Sequence, residues 1–313
     1  MTVTRDQTVI YSDIDGQSTS IMKLSVIIPT YQRSQVLLDS IHALTELLTP
    51  ESELLIVDQT PQHPVEVERQ LQELDMQKKI RWLKLPEPSI PVAMNRGLQE
   101  AKGKIVLFLD DDIIPDRQLL TAHIQAQQIA DLVAGQVLQP REKSEPLQPG
   151  EPFRFNSTSP EQIREFMGGN FSIKRNLAIA LGGFDQNFVG AAYRYEAEFA
   201  HRYCQKYGLI AYEPQARIHH LRAERGGTRS YGHHLRTAQP AHTFGAYYYL
   251  LKSKPPGWLR QLLWRPLRSI RTKHHFTHPW WIIPSLLAEV RGFVKALGKV
   301  QQGPDYPNFD QEN

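Results

Sequence analysis

The sequence predicts an α/β fold, a doubly wound and mostly parallel sheet followed by a helical C-terminal extension. Three observations predict it. Short apolar, β-branched runs alternate with segments of helical period over the first hundred residues after Lys23. Several of those runs close on polar residues: LSVIIPT at Thr30, ELLIVDQ at Asp58, KIVLFLDDD at three carboxylates. The chain of 313 residues, 41% of them hydrophobic, is also large enough for one substantial core.

The elements follow in order. Residues 1–22 are polar and read as a loose arm. LSVIIPT, residues 24–30, is a buried parallel strand, since it is continuously apolar rather than alternating. Residues 34–48 place Val36, Leu37, Ile41, Leu44 and Leu48 at helical spacing. ELLIVDQ is a second strand, residues 65–79 a helix, IRWLKL a third strand, and residues 91–102 a helix capped by Gly103. KIVLFLDDD is the fourth strand and DLVAGQVL a further one. Residues 139–160, rich in Pro, Glu, Gln and Ser, are expected to be a mobile loop. MGGNFSIKR and LGGFDQNF follow, then a helix from Tyr195 to Tyr207 and the strand LIAYEP. Residues 222–240, rich in Gly, Arg and His, are again expected to be mobile. In a doubly wound sheet ligands sit beyond the carboxyl ends of the strands, so Thr30, Asp58 and Asp110 to Asp112 are expected to converge on one rim.

Composition excludes several classes. A net charge of +3 with no recognition module argues against nucleic acid as a partner. The single cysteine, Cys204, allows no internal disulfide and suits a reducing compartment. The N-terminus lacks the basic start and apolar run of a secretory signal, and no apolar stretch is long enough to span a bilayer. A cytoplasmic protein is expected, with the inner face of the cell membrane as a peripheral location.

Asp110, Asp111 and Asp112 are the strongest chemical feature. Adjacent carboxylates at a buried strand end repel one another and resist desolvation, and a divalent cation removes that cost. Mg²⁺ or Mn²⁺ suits such a site because it shares its coordination between carboxylates, water and phosphate oxygens. Alternate residues of a strand face the same way, so Asp110 and Asp112 share a face and Asp111 points away. A solvated acidic turn or a helix cap before Ile113 is the plainer alternative. The position directly after IVLFL favours the metal.

Read together, SVIIPTYQR, LLIVDQT, NRGLQEAKGKIVLFLDDD, GGNFSIKR, LGGFDQNF, YEAEFAHR and PQARIHHLRAERGGTR resemble, in that order, a family 2 glycosyltransferase with the GT-A fold. The matching pieces span roughly residues 24–229. The resemblance implies a nucleotide-diphosphate sugar donor, Mn²⁺ or Mg²⁺, and inverting transfer to a hydroxyl acceptor that is a glycan or a lipid-linked sugar. It assigns Thr30, Tyr31 and Arg33 to the nucleotide border and Asp58 to the base. Asn95, Asp110 and Asp111 join that donor-binding set, and Asp112 takes the metal. Gln59 stands where many relatives carry a second Asp, and Met94 where an Arg often precedes the Asn. Glu196 falls at the position of the catalytic carboxylate, with Glu198 and Arg202 after it; taken by spacing alone, Glu198 and Arg202 would be a helical i,i+4 ion pair. His220 matches the ligand of the PxAxVxH pattern, with His219 as the alternative. Arg229, next to Gly226 and Gly227, is assigned to the diphosphate; a plain basic surface loop is the other reading. Gly168, Gly169 and Asn170 are assigned to the acceptor side, and Glu198 with them.

The resulting division is an arm (1–22), a GT-A domain (23–245, with a nucleotide-binding half to 135 and an acceptor half from 136) and a basic, Trp-containing extension (246–313). From Lys252 to Lys299 ten Lys and Arg face one acid, Glu289, with four Trp interleaved. Such a segment suits an anionic lipid surface or a pair of helices packed on the core. Two other functions compete. A nucleotidyltransferase acting on sugar phosphates would carry a Gly-rich loop where PTYQR stands. A non-catalytic nucleotide-sugar-binding relative would lack the metal acids or the base. A dinucleotide fold lacks its GxGxxG.

Overall fold

The long apolar runs form the middle of one sheet. The computed structural model describes residues 23–309, so the expected arm lies outside the described residues. Chain order is β1 (Leu24–Thr30), α1 (Gln35–Thr45), β2 (Ser52–Asp58), α2 (Val65–Met76), β3 (Arg81–Lys84), α3 (Ile90–Glu100), β4 (Ile105–Leu109), β5 (Ile113–Pro115), α4 (Leu119–Ala126) and β6 (Leu132–Leu138). Then come β7 (Glu161–Ile163), β8 (Asn170–Lys174), α5 (Arg175–Ala180), α6 (Tyr195–Lys206), β9 (Ile210–His220) and four C-terminal helices, α7 (Thr243–Ser253), α8 (Trp258–Ile270), α9 (Lys273–Thr277) and α10 (Ile282–Gln302).

The strands lie in the order β3-β2-β1-β4-β8-β6-β9-β5, with β7 also on β9. β1 to β4, β6 and β9 share one direction; β5, β7 and β8 run against it. Side chains alternate across the sheet. Val26 and Ile28 enter a core covered by α1, α2 and α4. Ile27, Leu55 and Phe108 enter the opposite core, under α3, α5 and α6. Gly135 in β6 is required where the sheet turns mixed: a Cβ there would overlap the Asn170 amide and the Ala216 carbonyl.

The two segments expected to be mobile are anchored. Residues 139–160 form no helix or strand, yet Val137 N–H donates to Phe155 O (3.0 Å) and the Tyr212 hydroxyl donates to Phe155 O and Ser157 O. Within residues 222–240, Gly227 N–H donates to Tyr31 O (2.8 Å) and a 3-10 turn, Gly227–Tyr231, folds against the exit of β1. Their partners belong to distant strands, which composition does not reveal.

The C-terminal extension packs on the core through α7, whose residues from Thr243 to Leu250 are all buried. α10 lies on α7, closely because Gly292 leaves room for Thr243, whose hydroxyl donates to Ala288 O (2.7 Å). α8 by contrast has no buried residue. Among the described residues no helix is long and apolar enough to cross a membrane.

Candidate active site

The carboxyl ends of β1, β4 and β9 and the start of β8 meet at one rim. Residue 110 continues β4 there, its N–H donating to Gly169 O (3.2 Å). Around this rim opens a cleft of about 410 Å³, walled by Thr30, Tyr31, Arg33, Gln59, the three aspartates, Gly168, Gly169, Glu196 and His220.

Asp110, Asp112 and His220 form one group, with a ligand atom from each lying within 4.8 Å of the others. β9 delivers His220 because its last residues pair with β5, His220 opposite Ile113. His220 Nδ1 donates to Gln139 Oε1 (3.0 Å), leaving Nε2 to face Asp112 Oδ1 at 3.2 Å and Asp110 Oδ2 at 3.8 Å. Asp112 also receives the Ala223 N–H at 2.7 Å and stands 2.9 Å from Arg33 Nη1. Burial raises its pKa, but His220 and Arg33 outweigh burial and hold it at about 2. Burial alone would discharge His220; the Asp112 hydrogen bond and the two carboxylate charges raise it instead. Asp111 turns inward, accepting from the Thr30 hydroxyl at 2.6 Å, and burial pushes it up to about 7 against the pull of Arg33.

This donor set fits a hard divalent cation. Two carboxylates and an imidazole converge, one carboxylate is firmly ionised, and Gly169 keeps the approach open, since a Cβ there would overlap the Asp110 carboxylate. Arg33 adds a second cationic element, its Nε buried without a hydrogen-bond partner.

Glu196 opens α6 and faces the same cleft. Arg194, the residue before the helix, has φ of 75°, a left-handed turn that starts the helix at the cleft wall. Glu196 is half-buried. Burial in the concave wall raises it to about 7, with Glu165 and Asp110 adding to the shift and Arg194 opposing it. A carboxylate poised near neutrality can accept a proton at ordinary pH.

The model of the family described as glycosyl transferase family 2 matches residues 25–197, more than half of the chain. The chain belongs to this family. Its fold is shared with solved glycosyltransferases of GT-A type. GalNAc-T7 with UDP, GalNAc and Mn²⁺ is 15% identical with a TM-score of 0.54, over 66% of this chain and 44% of that one. The mannosyltransferase PcManGT from Pyrobaculum calidifontis, in complex with GDP-Man and Mn²⁺, is 20% identical with a TM-score of 0.54, over 93% of this chain and 82% of that one. TarS 1-349 of S. aureus is 14% identical with a TM-score of 0.53, over 90% and 92%. The chain thus spans less than half the length of the first of these. No curated protein matches it.

Several residues assigned to the site of this family 2 glycosyltransferase stand away from the cleft. Asp58 is fully buried, taking hydrogen bonds from Thr60 N–H (2.8 Å), Trp82 Nε1 (3.0 Å) and His63 Nε2 (2.8 Å); burial raises it, but these partners bring it down to about 2. It does not line the cleft, whereas Gln59 beside it does. Asn95 is clipped to the Phe184 backbone, donating to its carbonyl (2.7 Å) and accepting its N–H (2.8 Å). Asn170 is 0% exposed, spanning three strands through Gln136 O, Ala216 O and His123. Glu198 is buried behind α6 in ion pairs with Arg202 and Lys252, both at 2.8 Å. None of these four lines the cleft; each is bonded to other parts of the chain. His219 turns outward while His220 turns in. Arg229 sits in the 3-10 turn, and its side chain lies outside the described residues. Sequence reading gave Asp110 to the donor alone and missed Gln139, Tyr195 and Glu165. Gln139 follows a strand end at the same rim, the one signal that could have found it.

Proposed function

We propose that the chain transfers a sugar from a nucleotide-diphosphate sugar to a hydroxyl of a glycan or lipid-linked acceptor, in a single displacement that inverts the anomeric carbon. The observation that carries this reading is that Glu196 and the Asp110–Asp112–His220 group open on one cleft. The Mn²⁺ present in two similar structures supports the same cofactor here. Asp110, Asp112 and His220 would hold the ion, which as a Lewis acid neutralises the charge of the departing diphosphate. Arg33, with its buried Nε unpaired, is placed to pair with phosphate oxygens. Thr30 holds Asp111 inward and so keeps the middle carboxylate away from the donor. Glu196 removes the proton of the acceptor hydroxyl as the new bond forms. The basic, apolar outer surface of the extension supports contact with an anionic membrane.

The test is a screen of sugar nucleotides for binding and hydrolysis with and without Mn²⁺. Glu196→Gln is expected to bind donor like the wild type and to transfer nothing. Transfer retained in that variant removes Glu196 from its role. Release of sugar phosphate on adding diphosphate, in place of hydrolysis to nucleoside diphosphate, would instead mark a nucleotidyltransferase.

A further inference from the structure

A second cavity, of about 690 Å³, lies between α7, α8 and α10 and is larger than the catalytic cleft. Its inner end is lined by Glu165, which also lines the cleft, and by Arg194, two residues before Glu196. Its outer end shares Pro256, Gln261 and Arg268 with a hollow of about 550 Å³ that reaches Arg260 and Trp264. The cleft, this cavity and the outer hollow thus lie in a row, each sharing lining residues with the next, and mark a path from Glu165 to the exposed surface of α8.

The charges along this path are unequal. Its two acids are already matched, Glu165 with Arg194 at 3.2 Å and Glu289 with Arg265 at 3.1 Å. Among the described residues Arg260 and Arg268 make no ion pair. With Trp264 they occupy successive turns of one face of α8, spanning about 12 Å along the axis. Two guanidinium groups at that separation can converge on the oxygens of a diphosphate linker. Beside them runs a second row, Leu259, Leu263 and Leu267, exposed by 56%, 76% and 40%. Three exposed leucines at helical spacing next to unmatched arginines suit an apolar chain attached to a phosphate group.

We propose that this path is the acceptor subsite, and that its ligand is a saccharide joined through phosphate to a hydrocarbon chain. The saccharide lies toward Glu165, the phosphate meets Arg260 and Arg268, and the chain follows the leucine row. The proposal rests on the glycosyltransfer reading and names the acceptor class for it.

Farnesyl diphosphate, titrated calorimetrically in metal-free buffer so that the aspartate group recruits no phosphate, tests the subsite. It is expected to bind the wild type, and about tenfold or more weakly to the Arg260→Gln, Arg268→Gln double variant. Leu263→Gln, which keeps the arginines and interrupts the leucine row, is expected to weaken binding by a similar factor. Inorganic diphosphate and farnesol should each bind less tightly than the joined molecule. Equal affinity of wild type and both variants overturns the proposal, as does inorganic diphosphate binding equally well. Binding to phosphatidylglycerol vesicles without binding of soluble farnesyl diphosphate also overturns it, in favour of a plain membrane surface. Dimer formation through α8 seen by sedimentation, abolished by Leu263→Glu, overturns it in favour of a second copy. Donor binding with Mn²⁺ is measured in parallel on the wild type; its absence overturns the catalytic reading and leaves the farnesyl diphosphate result to stand or fall alone.

Discussion

Two clusters of carboxylates lie on either side of the start of α6, and they are built oppositely. Behind the helix, Asp185 and Glu198 meet Lys252 at 2.6 and 2.8 Å, and Arg202 covers Glu198. At the rim, three aspartates face one arginine and one imidazole. Buried acids matched by the chain's own cations tie helices together. Acids left in excess at an open cleft suit a cation from solution. The contrast separates Glu198 from Glu196, two residues apart on one helix: the first joins α6 to α7 and the second lines the cleft.

The comparison can be broken most directly at Asp112. Replacing it by Ala is expected to weaken Mn²⁺-dependent donor binding about a hundredfold or more. Unchanged calorimetric Mn²⁺ affinity would place the ion elsewhere. Lys252→Met removes the cation of the inner cluster and leaves two buried acids, so urea unfolding should show a loss of about 3 kcal/mol. The folded fraction should keep its Mn²⁺ affinity; a change there would mean that the two clusters are coupled. Asp58 offers a third, smaller effect. Its folded value of about 2 lies below the unfolded 3.8, so its contribution is present above pH 3.8 and is lost as the pH falls toward 2. That contribution is about 2 kcal/mol. In Asp58→Asn the stability curve should lose that part of its acid limb. The smallest effect sharpens the reading of Glu196. With its carboxyl raised to about 7, the base form accumulates as the pH rises through neutrality. Transfer should fall about tenfold per unit below pH 7 and level off above it. The limb should move in Glu196→Asp and stay in Asp111→Asn; a flat profile from pH 5 to 8 removes the assignment.

Local pattern carried much of the fold. Continuous apolar runs ending in Thr30, Asp58 and Asp110 marked strands β1, β2 and β4 and the edge where they open, because burial on both faces of a parallel sheet leaves its trace within one run of residues. The reversed strand β8 and the short β5 left no such trace. Site residues divided along the same line. Asp110, Asp112 and His220 stand at strand ends, where position alone brings them together. Asp58, Asn95, Asn170 and Glu198 do not line the cleft, and their bonds to His63, Phe184, His123 and Lys252 follow from the fold rather than from the motifs they sit in. A polar residue in a motif is equally compatible with binding a ligand and with binding the chain.

The final described residues return to the catalytic unit. Asp305 N–H donates to Asp185 Oδ1 at 3.0 Å, Gln186 N–H donates to Asp305 O at 2.8 Å, and Phe309 packs in the core beneath α3 and α6. The part of the chain matched by the family is therefore clasped by a stretch more than a hundred residues downstream. Anyone grafting the C-terminal helices of this protein onto a relative would have to transplant that clasp with them, together with the aspartate that receives it.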